Sequence, residues 1–332
     1  INESDPIDVI WTPEQIAGDK RNVVYYIPIS QSDTAYHDLY TMMKEQAGSD
    51  EPARMYRAQT GDLLNYIYSN KLSVPVDRSV VLQNGTVNPT DSIVPELRFQ
   101  LRKGYLFKND AAILNIIAAN KWKRPIYFTQ PLNIGFEDYL RQDGMTFRLV
   151  PVANARGSMN TDWVYDKVMN KFRYGGATND GVYFDEENRR HLISVRNTHT
   201  ILAMNLIAEG RKEDAIKVLR HCDKNLPNKS LPYGMASRYG NDHNERSFYF
   251  AMTAFQAGDT ELGKRVMELV KKDCQQQIAY YESLREGQIG PSQQYEYQTA
   301  RQLVQNIEAA LKEYASAASP TPAPAADTNT KK

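Results

Sequence analysis

Residues 190–227, RHLISVRNTHTILAMNLIAEGRKEDAIKVLRHCDKNLP, contain two amphipathic stretches separated by a glycine. Small and apolar residues recur at helical spacing on both sides of Gly210, namely Ala203, Leu206, Ala215 and Leu219. Small side chains allow two helices to approach closely, and glycine adopts the backbone conformation of a tight turn at little cost. The segment therefore predicts a pair of packed helices.

Residues 245–274, ERSFYFAMTAFQAGDTELGKRVMELVKKDC, repeat this pattern more loosely, with Ala254 and Gly258 in the matching positions. This order of small residues and glycine resembles a tetratricopeptide repeat (TPR). The insertion SLPYGMASRYGNDHN, at 230–244, makes the separation of the two glycines longer than the strict repeat of about 34 residues. The pattern is therefore repeat-like without being a regular repeat.

Further amphipathic stretches at 278–284 and 293–315 continue the helical pattern. We therefore predict an all-α, TPR-like helical-repeat lobe over residues 184–315. The remaining segment, 316–332, is small, polar and rich in proline and alanine. It cannot bury enough apolar surface to offset the entropy of ordering, so we predict a disordered tail there.

Upstream of this lobe, short segments rich in β-forming residues alternate with segments of helical periodicity. The predicted strands are 22–29, 96–102, 124–129 and 146–152. The predicted helices are 34–46, with Ser32 or Asp33 as its N-cap, 60–70, 108–122 and 161–174. Such alternation is typical of an α+β or α/β lobe, which we place at residues 1–183.

The charge balance disfavours a general nucleic-acid-binding function. The chain has 40 Lys and Arg residues against 40 Asp and Glu residues, so no net field attracts nucleic acid. The two cysteines, Cys222 and Cys274, lie far apart and outside any zinc-ligand spacing. We interpret them as small buried thiols, and a single disulfide is the alternative.

No stretch of the sequence approaches the roughly 20 apolar residues that span a bilayer, and no signal peptide is recognisable. The chain begins without Met, so we expect it to be a portion of a longer protein whose other part determines its location.

No pattern points to catalysis, a metal or a cofactor. The five histidines are scattered, and neither a nucleophile elbow nor a phosphate-binding loop is present in the sequence. The acidic run DEEN at 185–188 could supply a pair of carboxylates of the glycosidase kind. We favour a helix N-cap there, because negative charge is stabilised at a helix N-terminus. We therefore predict no catalytic residue, no metal ligand and no cofactor.

Arginine and aromatic residues are concentrated near the predicted junction of the two lobes. Aromatic faces and guanidinium groups suit sugars, phosphates or carboxylates. The candidate binding residues are Trp122, Arg124, Tyr127, Tyr139, Arg141, Arg148, Arg189, Arg190 and Arg196. The alternative is that the arginines form structural ion pairs with the nearby acidic residues Asp138, Asp143, Asp185 and Glu186.

Several ordered motifs together resemble one protein family. They are SVPVDRSVVLQNGTVNP (73–89), KGYLFKNDAAILNIIA (103–118), NKWKRPIYFT (120–129), EDYLRQDGMTFRLVPV (137–152), VMNKFRYGG (168–176) and the pair Arg189 and Arg190. The resemblance is to the C-terminal region of the domain-of-unknown-function 2723 family. These are bacterial multi-pass membrane proteins related to protein O-mannosyltransferases.

The resemblance implies a parent glycosyltransferase that uses a lipid-phosphosugar donor, with this segment on the periplasmic face of the inner membrane. The catalytic acid is expected in the membrane part, so no catalytic residue is assigned here. The expected partners are the parent's own membrane domain and acceptor proteins or glycans, without nucleic acid and without insertion of this segment into the membrane. The implied role is to recognise or position the acceptor protein. A carbohydrate-binding module at the lobe junction and an independent hydrolase are the alternatives.

Overall fold

The computed structural model describes residues 7–28, 30, 33–236, 240–285 and 289–317. The chain forms two compact units, Ile1–Asn160 (unit 1) and Thr161–Lys332 (unit 2). The boundary predicted from the sequence, 183/184, falls within unit 2. The helix that begins at Thr161 packs against two helices of unit 2, which accounts for the earlier position of the division.

The described part of unit 1 combines short strands with short and medium helices. The strands are β1 (Val23–Tyr26), β2 (His37–Asp38), β3 (Tyr56–Arg57), β4 (Leu63–Leu64), β5 (Tyr66–Ile67), β6 (Lys71–Pro75), β7 (Glu96–Gln100), β8 (Tyr105–Phe107), β9 (Tyr127–Phe128), β10 (Leu140–Asp143) and β11 (Thr146–Leu149). The helices are α1 (Pro13–Ala17), α2 (Leu39–Thr41), α3 (Arg78–Gln83) and α4 (Lys108–Asn120).

Three three-stranded sheets and one two-stranded sheet organise these strands, in the orders β5-β1-β8, β10-β11-β9, β2-β6-β7 and β3-β4. Two of the pairings are parallel, β1 with β5 and β2 with β6, and the others are antiparallel. The predicted mixture of strands and helices in the first lobe is confirmed, and its form is α+β.

Period-two burial explains why β7 forms at ELRFQ. Leu97 and Phe99 are buried, whereas Arg98 and Gln100 are exposed on the opposite side. The apolar face joins a core that also contains Leu114 from α4, so that sheet and helix bury their apolar faces against each other.

The predicted helix at 34–46 is wrong in its first turns. His37 and Asp38 form β2, and a helical turn follows from Leu39, continued by a π-helical segment over Met42–Ala47. Asp38 is the N-cap, since its carboxylate accepts a hydrogen bond from the amide of Thr41 at 2.8 Å. Of the predicted caps, Asp33 instead binds His37 at 2.7 Å, and Ser32 lies outside the described residues.

The predicted helix at 60–70 is also wrong, because this segment forms β4 and β5. Asn65, Ile67 and Ser69 are buried while the residues between them are only partly buried, which is the period of a strand. Pairing of Tyr66 with Tyr25 of β1 fixes this conformation, and such a long-range contact overrides local helical spacing.

Unit 2 is built from helices α5 (Thr161–Asn170), α6 (Glu186–Ala208), α7 (Lys212–Asn225), α8 (Asp242–Ala257), α9 (Thr260–Ser283) and α10 (Pro291–Ala317). This confirms the predicted helical lobe. Helix α6 packs on α7, α8 on α9, and α9 on α10. Gly210 and Gly258 adopt left-handed φ values of 79° and 104° in the short turns that join the first two pairs.

The remaining local predictions for unit 2 concern a cap, the thiols and the tail. Asp185 is the N-cap of α6, with its carboxylate accepting from the amide of Asn188 at 2.8 Å.

Cys222 and Cys274 are both free and buried, and burial raises the pKa of each thiol to about 12. Of the predicted tail, the first two residues belong to α10, and 318–332 lie outside the described residues.

Candidate functional site

Three of the nine candidate residues form one row across the sheet β10-β11-β9. Arg148 of β11 lies opposite Arg141 of β10 and opposite Tyr127 of β9. Residues directly opposite one another on neighbouring strands share a face of the sheet. The guanidinium of Arg148 lies 5.4 Å from the ring centroid of Tyr127.

Carboxylates pair with both arginines of this row. The Nε of Arg141 donates to Asp143 at 3.1 Å and its Nη1 donates to Asp91 at 3.1 Å. Arg148 lies 4.0 Å from Asp143 and donates to the hydroxyl of Thr86 at 3.4 Å. Arg141 and Arg148 are only 3% and 7% exposed, and burial lowers the pKa of Arg148. We call Asp91, Arg141, Asp143 and Arg148 the arginine network.

Trp122 joins this region through a chain of hydrogen bonds. Its indole N–H donates to the carbonyl of Pro75 at 2.8 Å, and its main-chain carbonyl accepts from the side-chain amide of Asn84 at 2.6 Å. The Asn84 side chain in turn accepts from Thr86. The Trp122 ring is buried, so it contributes to packing. Arg124 follows on the surface, and its main chain is held by Asn120.

The three candidate arginines of unit 2 differ in burial. Arg196 is 3% exposed and donates to the carbonyls of Leu231 and Pro232 at 2.6 and 3.3 Å. Its guanidinium lies 3.9 Å from the ring centroid of Tyr233, so it fastens the segment after α7 to α6. In the first turns of α6, Arg190 pairs with Glu187 and Arg189 lies 5.9 Å from the Tyr183 ring centroid.

Tyr139 lies apart from the network, at the edge of β7. Its hydroxyl donates to the carbonyl of Arg98 at 3.2 Å and accepts from the amide of Arg98 at 3.1 Å. The ring lines a cleft of about 790 Å³, which we call the tyrosine cleft. The lining residues are Tyr26, Tyr36, Asn70, Arg98, Phe99, Gln100, Leu101, Arg102, Lys103, Gly104, Gly135, Asp138 and Tyr139.

Of the residues that line the tyrosine cleft, only Tyr139 is among the candidates predicted from the sequence. The lining comes from five separate stretches of the chain, which long-range strand pairing brings together. One signal was available, because the alternation in ELRFQLR places Arg98, Gln100 and Arg102 on the polar side of the predicted strand.

A second concave surface lies in unit 2, between α8 and α10. Two adjoining hollows of about 450 and 220 Å³ share Glu245 and Thr299. We call them together the α8–α10 groove. Its lining residues are Asn241, Asp242, Glu245, Arg246, Phe248, Tyr249, Tyr295, Thr299, Gln302, Leu303 and Asn306. Tyr249 and Tyr295 are 60% and 67% exposed.

Two buried histidines of unit 2, His199 and His243, have strongly lowered pKa values. Burial is the main cause that lowers the pKa of His199 and of His243 to about 4, so both are neutral at pH 7. His243 donates to the carbonyl of Pro232 at 2.6 Å. Among the described residues, no group of three or more His, Cys, Asp or Glu side chains could hold a metal ion.

Comparison with known families identifies unit 1. The model of a family described as TMEM260-associated domain 2 matches residues 1–168. The chain belongs to the TMEM260-associated domain 2 family. No curated protein and no solved structure matches the chain.

The match to TMEM260-associated domain 2 covers all of unit 1, and with it the arginine network and the tyrosine cleft. The α8–α10 groove lies beyond the matched residues. The family is a domain associated with a membrane protein family. In the described part of this chain, no helix has both the length and the apolar character needed to cross a bilayer.

Proposed function

We propose that this TMEM260-associated chain is a non-catalytic accessory domain of a membrane glycosyltransferase-like protein, and that it positions the acceptor polypeptide during protein O-glycosylation. The association of the family with a membrane protein supports an accessory role. The resemblance to the domain-of-unknown-function 2723 family supports a glycosyltransferase parent at the periplasmic face. The observation that carries acceptor binding is the α8–α10 groove.

The dimensions of the groove suit an extended polypeptide. From Tyr295 to Asn306 it follows α10 for about 16 Å, at roughly 1.5 Å per helical residue. That length accommodates about five residues of extended chain. Grooves between packed helices of repeat-like lobes commonly bind extended segments, which supports a polypeptide as the occupant of this groove.

The lining of the groove favours a hydroxyl-rich segment without negative charge. Tyr249 and Tyr295 offer flat amphipathic faces at low entropic cost. The side-chain carbonyl of Gln302 can accept a hydrogen bond from a peptide main chain, since the amide nitrogen of the same side chain already donates to Asn306 at 3.0 Å. Glu245 lines both hollows, and its charge disfavours acidic segments. A segment rich in serine and threonine, the residues that O-glycosylation modifies, fits this chemistry.

The test compares transfer by the parent protein in membranes, supplied with a lipid-phosphosugar donor and a native acceptor protein. The double variant Tyr249→Ala and Tyr295→Ala should reduce transfer to protein about tenfold, the loss expected when exposed aromatic anchors are removed. Hydrolysis of the donor should continue unchanged. Tyr280→Ala is the matched control, because Tyr280 is equally exposed on α9 and does not line the groove.

Equal loss in the Tyr280 control, or unchanged transfer in the double variant, would refute acceptor binding in the groove. Loss of donor hydrolysis together with transfer would assign the chain a part in the chemical step, which contradicts a purely accessory role.

A further inference from the structure

We propose that the tyrosine cleft of unit 1 binds an anionic oligosaccharide. The cleft and the α8–α10 groove belong to different units, so this inference does not depend on the proposed acceptor site. At about 790 Å³ the cleft lies within the range of small-molecule sites, roughly 300–1,000 Å³, and is far larger than a single inorganic anion requires.

Aromatic faces suited to sugar rings line the cleft. Tyr36 is 41% exposed, and the guanidinium of Arg98 lies 5.6 Å from its ring centroid. The two hydrogen bonds of Tyr139 to the main chain of Arg98 fix the position of the second ring. Tyr26 contributes a third ring from β1. The C–H faces of pyranose rings pack on tyrosine rings, because a tyrosine ring is apolar across its face and polar only at its hydroxyl end.

Hydrogen-bonding capacity in the cleft is unused. The side-chain amides of Asn70 and Gln100 and the hydroxyls of Tyr26 and Tyr36 line it, and none of them bonds to another residue within the described part of the chain. An amide supplies both donors and acceptors, as does each hydroxyl of a sugar. The ligand that this set matches is therefore rich in hydroxyl groups.

The basic side chains of the cleft offer a donor to a negatively charged group. The lining contains Arg98, Arg102, Lys103 and Asp138, and the three cations pair with Glu96, Glu137 and Asp110 beside the lining. Arg98 bonds Glu96 through Nε and Nη2, which leaves Nη1 available. A carboxylate or sulfate group on the ligand can accept from this N–H in a charge-assisted hydrogen bond.

Arg102 and Lys103 also pair with carboxylates that lie outside the lining, and both side chains remain accessible to solvent. Arg102 lies 3.4 Å from Glu137 and Lys103 lies 2.8 Å from Asp110, while both cations reach solvent in the cleft. The amides of Ile134 and Gly135 hold the other oxygen of Glu137 at 2.5 and 2.9 Å. The basic side chains are thus oriented before a ligand arrives, which lowers the entropic cost of binding.

A peptide strand is a poorer fit to the same surface. β7 is an edge strand of its sheet, so its outer side could in principle accept a further strand. The hydroxyl of Tyr139 already occupies the outward amide and carbonyl of Arg98, and the amide of Arg102 donates to Ile134 at 3.2 Å. Continuous main-chain pairing along this edge is therefore blocked.

The experiment titrates the protein with trisaccharides of galacturonic, glucuronic and mannuronic acid, each beside its neutral methyl ester, by calorimetry and by amide resonances of Gln100, Gly104 and Gly135. We expect saturable binding of at least one acid. Its ester should bind about tenfold more weakly, because one charge-assisted hydrogen bond is worth about that factor.

The variant Arg98→Gln should weaken binding by a similar factor of about ten, and Tyr36→Ala should weaken it as well. Arg57→Gln is the matched control, since Arg57 is exposed in the same unit and lies outside the cleft. Thermal melting of each variant shows that unit 1 remains folded.

Three results would overturn the proposal. One is the absence of saturable binding for all three acids. Another is equal binding of acids and esters, or an equal loss in Arg57→Gln. The third is displacement of the trisaccharide by inorganic sulfate at the same concentration, which would show that the cleft recognises the anion and not the sugar.

Discussion

The arginine network and the tyrosine cleft are built from the same residue types within unit 1, yet they use them differently. In the network, Arg141 and Arg148 are buried and share the carboxylates of Asp91 and Asp143. In the cleft, Arg98 is mostly exposed and retains an unbonded N–H. Burial therefore separates the two arginines of the network, whose ion pairs stabilise the fold, from Arg98, whose guanidinium pairs with Glu96 and still reaches solvent.

Removal of Asp143 should give the largest effect, because it leaves two buried guanidinium groups with one fewer carboxylate. We expect Asp143→Ala to lower the free energy of unfolding of unit 1 by about 3–5 kcal/mol, the usual cost of breaking a buried ion pair. Urea denaturation followed by tyrosine and tryptophan fluorescence measures this change.

The control for this experiment is Asp138→Ala, which removes an exposed carboxylate paired with Arg156 at 3.5 Å. It should change stability by less than about 1 kcal/mol. Equal stability of Asp143→Ala and Asp138→Ala would show that the arginine network does not stabilise unit 1. Arg141 and Arg148 would then be candidates for ligand binding.

Unit 2 extends the comparison to buried groups that titrate. Burial, followed by the charge of Arg196, lowers the pKa of His243 to about 4, and burial does the same for His199. Because both pKa values lie below the ordinary value of about 6.5, the unfolded chain binds more protons between pH 6.5 and pH 4. The stability due to neutral histidines is complete above pH 6.5 and is lost as pH falls toward 4.

We therefore expect the free energy of unfolding of unit 2 to fall over this range by up to about 3 kcal/mol for each histidine. His199→Gln should remove roughly half of the decrease, whatever it does to stability at pH 7. Urea denaturation followed by helical circular dichroism at several pH values measures the slope. The exposed His191, replaced by Gln, is the control. A slope unchanged by His199→Gln would contradict the prediction.

Local periodicity was sufficient where an element is long. The helices α4 and α6 to α10 and the strand β7 each bury one face at their own period, so the sequence pattern predicted them. The segment 60–70 was mistaken for a helix because β4 and β5 each contain only two residues, too few for a period to be visible. Their conformation depends on pairing with β1 and β3, which local sequence does not encode.

The candidate site was harder to predict for a related reason. Grouping by proximity in sequence correctly joined Tyr127, Arg141 and Arg148, which lie on adjacent strands of one sheet. It could not join Tyr36 and Arg98 to Tyr139, because those residues are brought together by contacts between distant segments. Nor could it show which arginines are buried, since polar and apolar residues alternate in the sequence around both Arg98 (ELRFQ) and Arg148 (TFRL).

The smallest expected change in stability, from Arg98→Gln, is the sharpest test of the comparison. Arg98 pairs with Glu96 on its own strand and both side chains reach solvent, so the loss should be no more than about 0.5 kcal/mol in urea denaturation. The same variant should weaken uronic trisaccharide binding about tenfold. Asp143→Ala should have the opposite effects. It should lower the free energy of unfolding, and below its melting temperature it should bind the trisaccharide with unchanged affinity. If Arg98→Gln lowers the free energy of unfolding as much as Asp143→Ala does, Arg98 also stabilises the fold. Exposure alone would then not identify a binding residue in this protein.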